Sequence, residues 1–247
     1  MCFSVEVFKD LNEIVKTFNA KVDKSAFQKI KDLSQKNPCL FRLPDDEGRI
    51  FPNTFAPVVV LRKSKFGEER VITPMRYRLR PHNAPKEVPS KYNLFNARLD
   101  SLESRKSWRE IFGKNHCIFP FKKFYEWVED NDGQKKLVSF YPKGRNIMWA
   151  PALFDYYKGP DGDFYSFALI TTAPNPEVLS VGHDRSPLFL ESTFIKDWLA
   201  VGKSSKKTFK QILKNQENVY FSHTFENLPK KEKTEGENSK QLNLFKE

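Results

Sequence analysis

The chain has 247 residues, 39% hydrophobic and 14% aromatic, with 23 phenylalanines, which is enough apolar material to bury the core of an α/β or α+β domain. Its 42 Lys and Arg outnumber 31 Asp and Glu, and the resulting charge of +11 attracts polyanions, nucleic acid first among them. Three irregularly spaced cysteines (Cys2, Cys39, Cys117) exclude a disulfide framework and a Cys-x-x-Cys zinc site, and apolar runs such as Val58-Val59-Val60-Leu61 are too short to span a membrane.

In chain order, the N-terminus lacks the basic-then-apolar profile of a signal peptide, so a reducing cytoplasm is the expected compartment. Leu11, Ile14, Val15 and Phe18 fall on one helical face and predict a helix over residues 11–18. Ser25 is placed to cap a second helix carrying Phe27, Ile30 and Leu33, which Asn37-Pro38 ends. The pattern then changes to strands, beginning with Ala56 to Arg62. Phe124 to Val128 and Lys136 to Tyr141 flank Asn131-Asp132-Gly133, a hairpin signal. Ile147 to Phe154 and Phe164 to Thr171 read as a second antiparallel pair. Thr193 is placed to cap a short helix with Phe194, Ile195, Trp198 and Leu199, and Thr208 to Lys214 reads as another. From Pro229 onward Lys, Glu, Asn, Ser and Gly dominate, the composition of a disordered tail. Residues 230–247 carry five Lys and four Glu, so +10 of the charge belongs to the preceding body. The expected architecture is α+β: a mixed, mainly antiparallel sheet over residues 1–228 with peripheral helices, then a flexible tail over residues 229–247.

Four segments carry residue types suited to chemistry: Met1-Cys2, Asn96-Ala97-Arg98, Phe124-Tyr125-Glu126-Trp127 and Gly182-His183-Asp184-Arg185-Ser186-Pro187. Each alone has an ordinary structural reading, such as an outward strand position for Glu126 or a surface ion pair for Asp184 and Arg185. Together, and in this order, they resemble the SRAP family (SOS-response-associated peptidase-like proteins), whose chains begin Met-Cys. Those chains carry Asn-Ala-Arg, Phe-Tyr-Glu-Trp, Thr-Thr-x-Ala/Pro-Asn and His-Asp-Arg-x-Pro segments. Thr171-Thr172-Ala173-Pro174-Asn175 matches the third of these, and Met75-Arg76-Tyr77 resembles the family's Met-Arg-Trp. The chain departs from the family in reading Met-Cys-Phe-Ser for Met-Cys-Gly-Arg, Tyr77 for Trp and Ser186 for Met.

The resemblance implies a barrel-like sheet domain that senses abasic sites in single-stranded DNA through a covalent DNA–protein crosslink. Cys2, once Met1 is removed, presents an α-amine and a thiol on adjacent carbons. Both keep a reactive fraction near neutral pH. An aldehyde would form a Schiff base with the amine, and thiol attack would close a thiazolidine. By the same resemblance Asn96 would hold the N-terminal group, Glu126 would move protons, and His183 would protonate the sugar oxygen. Arg76, Arg98 and Arg185 would bind phosphates, and Tyr77 would stack on a base. This chemistry needs no metal or organic cofactor.

Near the end of the tail, Gln241-Leu242-Asn243-Leu244-Phe245 resembles the peptide by which bacterial replication and repair proteins bind the sliding clamp, with Gln241, Leu242, Leu244 and Phe245 as the binding residues. The expected protein is a nucleoid-associated monomer with no membrane partner. Two other functions stay open: a hydrolase or peptidase with Cys2 as nucleophile, and a non-covalent single-strand binder tethered to the clamp.

Overall fold

The computed structural model of the chain describes residues 4–226, apart from residues 66, 130, 131, 161 and 203. Cys2, the tail over residues 229–247 and its clamp-like peptide lie outside the described residues. Among the described residues the strands are β1 (Ser4–Glu6), β2 (Lys21–Val22), β3 (Arg49–Ile50), β4 (Phe55–Ser64), β5 (Gly67–Tyr77), β6 (Asn96–Arg98), β7 (His116–Phe121), β8 (Lys123–Glu129), β9 (Lys135–Pro142), β10 (Met148–Tyr157), β11 (Phe164–Thr172), β12 (Ser186–Pro187) and β13 (Phe221–Phe225). The α-helices are α1 (Asn12–Phe18), α2 (Lys24–Lys36), α3 (Lys106–Arg109), α4 (Pro176–Ser180), α5 (Ile195–Leu199) and α6 (Lys206–Ile212).

The expected helices are present, but three begin differently. Asp23, not Ser25, caps α2, its carboxylate accepting from Ala26 N at 3.0 Å while Ser25 lies inside the helix. A carboxylate serves the exposed N–H groups better than a hydroxyl, because its charge also complements the helix dipole. Ser205 caps α6, accepting from Thr208 N at 3.2 Å, so that helix starts two residues before Thr208. Thr193 sits inside a single 3-10 turn, Ser192–Phe194, and α5 starts after it without a side-chain cap.

Both predicted hairpins form. β8 and β9 pair Phe124 with Phe140 and Glu126 with Val138, and β10 and β11 pair from Ala152–Leu169 to Tyr157–Phe164. β4 pairs antiparallel with β5 and with β7, β7 with β10, and β10 with β11. A parallel pairing of Arg76 and Tyr77 with Ser166 and Phe167 then joins β5 to β11 and closes these five strands into a barrel. The second sheet is antiparallel, in the order β13-β9-β8-β1-β3. The expected mixed, mainly antiparallel, barrel-like α+β architecture is therefore what the chain adopts.

Alternation along the barrel strands feeds two cores. Cys117, Phe119, Phe121, Met75, Tyr77, Phe167 and Leu169 join Phe124, Val128, Val138 and Phe140 of the second sheet. The opposite faces, with Ile118, Ile72, Val59, Ala168 and Ile170, pack on Phe18, Trp108, Trp198, Phe209 and other helix residues. A strand buried on both faces reads as a nearly continuous apolar run, and β7, His116–Phe121, is buried throughout, apolar after His116. Each fully buried Phe or Leu contributes roughly 1.5–3 kcal/mol, which places most of the stability in these two clusters.

Candidate functional site

The site is built where β1, β6, β8 and the loop after α4 meet their neighbours. On β8, Phe124, Glu126 and Val128 point to the buried face while Tyr125 and Trp127 point to the other. Glu126 is 1% exposed, so the strand places a carboxylate in the core-facing row rather than outward. His183 Nε2 lies 3.2 Å from Glu126 Oε2, which brings two of the sequence-predicted chemical residues into contact.

The chain delivers His183 by local rules. β11 ends at Thr172, and Asn175 caps the following helix, its side chain accepting from Val178 N and donating to Val219 O at 2.9 Å. The helix is stopped by Gly182, whose φ of +91° is one that glycine adopts without strain. His183 follows, and Ser186 and Pro187 then pair with Thr172 and Thr171. The Thr-Thr-x-x-Asn and His-Asp-Arg-x-Pro segments are thus the two sides of one turn.

His183 Nδ1 lies 2.8 Å from Arg185 O, and an acceptor at that distance calls for a proton on Nδ1; the opposing contact, from Arg185 N, is longer at 3.3 Å. On the other side of the ring, Nε2 faces the Glu126 carboxyl at 3.2 Å. Burial pushes the His183 pKa below the ordinary histidine value, against the Arg185 carbonyl and Asp184, which push it up. The two groups stand within proton-transfer distance.

Asn96 is 3% exposed on β6, which pairs in parallel with β11, Asn96 beside Leu169 and Arg98 beside Thr171. Thr171 therefore lies between Arg98 and Pro187. Arg185 donates to Thr171 O at 3.0 Å, and Arg98, Asp100, Asp184 and Arg185 all fall within electrostatic reach of one another. Arg98 is half-exposed and pairs with Asp100 at 2.6 Å, which raises its pKa; burial lowers that of the partly covered Arg185.

Two expected DNA-binding residues are elsewhere. Arg76 and Tyr77 pair with Ser166 and Phe167, roughly 15 Å along β11 from Thr171. Arg76 is 1% exposed, held by Glu87 at 2.9 and 3.0 Å and lying over the Phe164 ring at 4.7 Å, so it does not present a free cation to a phosphate. Tyr77 is fully buried among Phe95, Phe119 and Phe167 and has no ring face to offer a base. Trp127, to which the sequence assigned no role of its own, is 41% exposed and adjacent to Glu126. The signal that could have found it is the alternation on β8, which sends Trp127 and Glu126 to opposite faces.

Cys2 lies outside the described residues. Ser4 is fully buried and pairs with Tyr125, the neighbour of Glu126. Cys2 is two positions before Ser4, a chain reach of about 7 Å. A concavity of about 970 Å³ lies away from this pair, lined by Phe8, Lys16, Lys122, Lys123, Tyr141 and Arg145 among others. Among the described residues no cluster of His, Cys, Asp and Glu could hold a metal ion, and no helix is long and apolar enough to cross a membrane.

Known proteins resemble this chain in sequence and in fold. The chain is 26% identical over 200 residues to "Abasic site processing protein YoqW" of Bacillus subtilis, covering 81% of this chain and 80% of that one. It is 27% identical over 205 residues to "Abasic site processing protein HMCES" of Pongo abelii, covering 69% of this chain and 58% of that one. Among solved structures, a Bacteroides thetaiotaomicron protein superposes with a TM-score of 0.67 at 18% identity over 91% of each chain. A Bordetella bronchiseptica protein superposes equally well, over 92% of this chain and all of that one. The family model described as "SOS response associated peptidase (SRAP)" matches residues 1–226, and the chain belongs to that family.

Proposed function

We propose that the protein recognises abasic sites in single-stranded DNA and is covalently linked to them by Cys2, the N-terminal residue once Met1 is removed. The observation that carries this reading is the Glu126–His183 contact at 3.2 Å, one residue from the strand pair that holds Ser4. The names of the curated relatives, abasic site processing proteins, support it.

The chemistry balances without a cofactor. The ring-opened abasic sugar exposes an aldehyde; the Cys2 amine adds to it and water leaves, giving an imine. The thiol then adds across the C=N bond, its proton passes to nitrogen, and a thiazolidine closes. His183 donates a proton to the sugar ring oxygen as the ring opens, and Glu126 takes up and returns protons as the imine forms and reverses. Asn96, buried on β6 beside β11, would hydrogen-bond the N-terminal group. Arg98 and Arg185 bind phosphates on either side of Thr171, and exposed Trp127 offers a ring face to a base. The linkage would shield the lesion from cleavage during replication. Gln241, Leu242, Leu244 and Phe245 would bring the protein to a sliding clamp.

The family's description as a peptidase favours a second reading, a hydrolase using the same Cys2 as nucleophile. A denaturing gel separates the two. Protein mixed with single-stranded DNA carrying one abasic site should give a heat-stable shifted band that Cys2→Ala abolishes. The absence of that band from protein whose mass shows Met1 removed would reject the crosslink and leave the hydrolase and the non-covalent single-strand binder.

A further inference from the structure

β3 sets Arg49 directly opposite Glu6 of β1, a position from which a cross-strand ion pair is the ordinary outcome. That pair does not form. Glu6 is engaged by Lys122 at 3.5 Å and Lys123 at 3.3 Å, and accepts from the Tyr125 hydroxyl at 3.5 Å. Arg49 turns the other way, toward the start of β1, where its Nε and Nη2 donate to Ser4 Oγ at 3.2 and 3.0 Å. Its guanidinium carbon lies 4.0 Å from the Tyr125 ring centroid and 5.1 Å from that of Phe51.

These partners fix the guanidinium without neutralising it. Two aromatic faces and a hydroxyl carry no negative charge, and among the described residues no carboxylate pairs with Arg49. Arg98, by contrast, shares Asp100, and Arg76 shares Glu87. Arg49 is only partly covered, and its Nη1 is neither buried nor hydrogen-bonded. A planar donor, held on an aromatic face with one edge open, is how guanidinium meets phosphate. The approach of β3 to β1 is itself constrained: Val7 N donates to Gly48 O at 2.8 Å, and Gly48 has φ +86° with room for no side chain, since a Cβ would stand 2.6 Å from Val7 O.

We propose that Arg49 binds a phosphate of the single strand next to the abasic site, reaching it from β3 beside Ser4. The proposal rests on the DNA reading above and adds a residue to it. Arg49 touches Ser4 and Tyr125, while Glu126 occupies the opposite face of β8. The two therefore flank the N-terminal end of β1 from either side of the sheet.

The test measures equilibrium binding of a single-stranded oligonucleotide with one central abasic site across a salt series. Cys2→Ala protein is compared with the same protein carrying Arg49→Gln or Arg49→Lys. The expected result is roughly ten-fold weaker binding at low salt for Arg49→Gln. The slope of log affinity against log salt should fall by about 0.7, the share of one phosphate on a single strand. Arg49→Lys should keep the slope. An undamaged oligonucleotide should show the same loss, because a phosphate contact is indifferent to the base. An unchanged slope for Arg49→Gln overturns the proposal. So does a normal affinity combined with slow crosslinking by Cys2-containing Arg49→Gln at saturating DNA, which would make Arg49 a clamp on β1. Failure of the wild-type protein to crosslink rejects the earlier reading instead, and the salt slope still decides the role of Arg49.

Discussion

At the scale of single residues, the Glu126–His183 contact decides the chemistry. Glutamine at position 126 keeps the shape and can donate to His183 Nε2, but it cannot take up a proton. Glu126→Gln should therefore slow crosslink formation or reversal by about 100-fold or more while leaving the fold intact; a time course on denaturing gels, beside a thermal melt, checks both. The sequence named both residues but could not show that they touch, because Glu126 arrives on a hairpin and His183 on a turn 57 residues later. Arg76 and Tyr77 show the opposite limit. Both sit where β5 is buried on both faces, and no periodicity distinguishes a two-sided strand from one with an outward row. The Glu87 that neutralises Arg76 comes from an irregular loop that no pattern marks. Arg49 was invisible for a similar reason: β3 is two residues long.

At the scale of elements, the joint between β7 and the helices α5 and α6 carries a pH dependence. His116 stacks on Trp198 with ring centroids 3.8 Å apart and meets Phe209 edge-on at 4.4 Å. Its Nε2 accepts from Gly113 N at 2.8 Å and its Nδ1 donates to Trp198 O at 2.9 Å, which fixes the neutral tautomer. Burial pushes its pKa down to about 3, against the Trp198 carbonyl, which raises it. The unfolded chain takes up a proton below about pH 6.5 while the folded one does not. Stability is thus fully present above that pH and falls as pH drops toward 3, by up to about 1.4 kcal/mol per unit. Thermal melts from pH 7 to pH 5 should fall steeply for the native protein and less so for His116→Gln. Elements differ in legibility along the same lines. The β8–β9 hairpin was readable because Asp132-Gly133 is a local signal. β6 and β12 were not, because three- and two-residue strands owe their existence to a distant partner, β11.

At the scale of the whole molecule, the family match ends at residue 226, before the tail that carries Gln241, Leu242, Leu244 and Phe245. If clamp binding resides in that peptide, removing residues 241–247 should abolish capture by a sliding clamp in a pull-down and leave crosslinking to abasic single-stranded DNA unchanged. Loss of both would assign the tail to the domain instead. The barrel's closure has a consequence of another kind. The β4–β5 and β10–β11 hairpins are local in sequence, but the β5–β11 seam joins residues 90 positions apart. Contacts of such long separation form late, since the entropy of closing the loop must be met before they reward it. β6 and β12, which frame Thr171 beside Arg98 and Arg185, dock on the same β11. During refolding, fluorescence of the buried tryptophans should recover before crosslinking competence does, and that competence becomes a clock for the long-range steps of assembly.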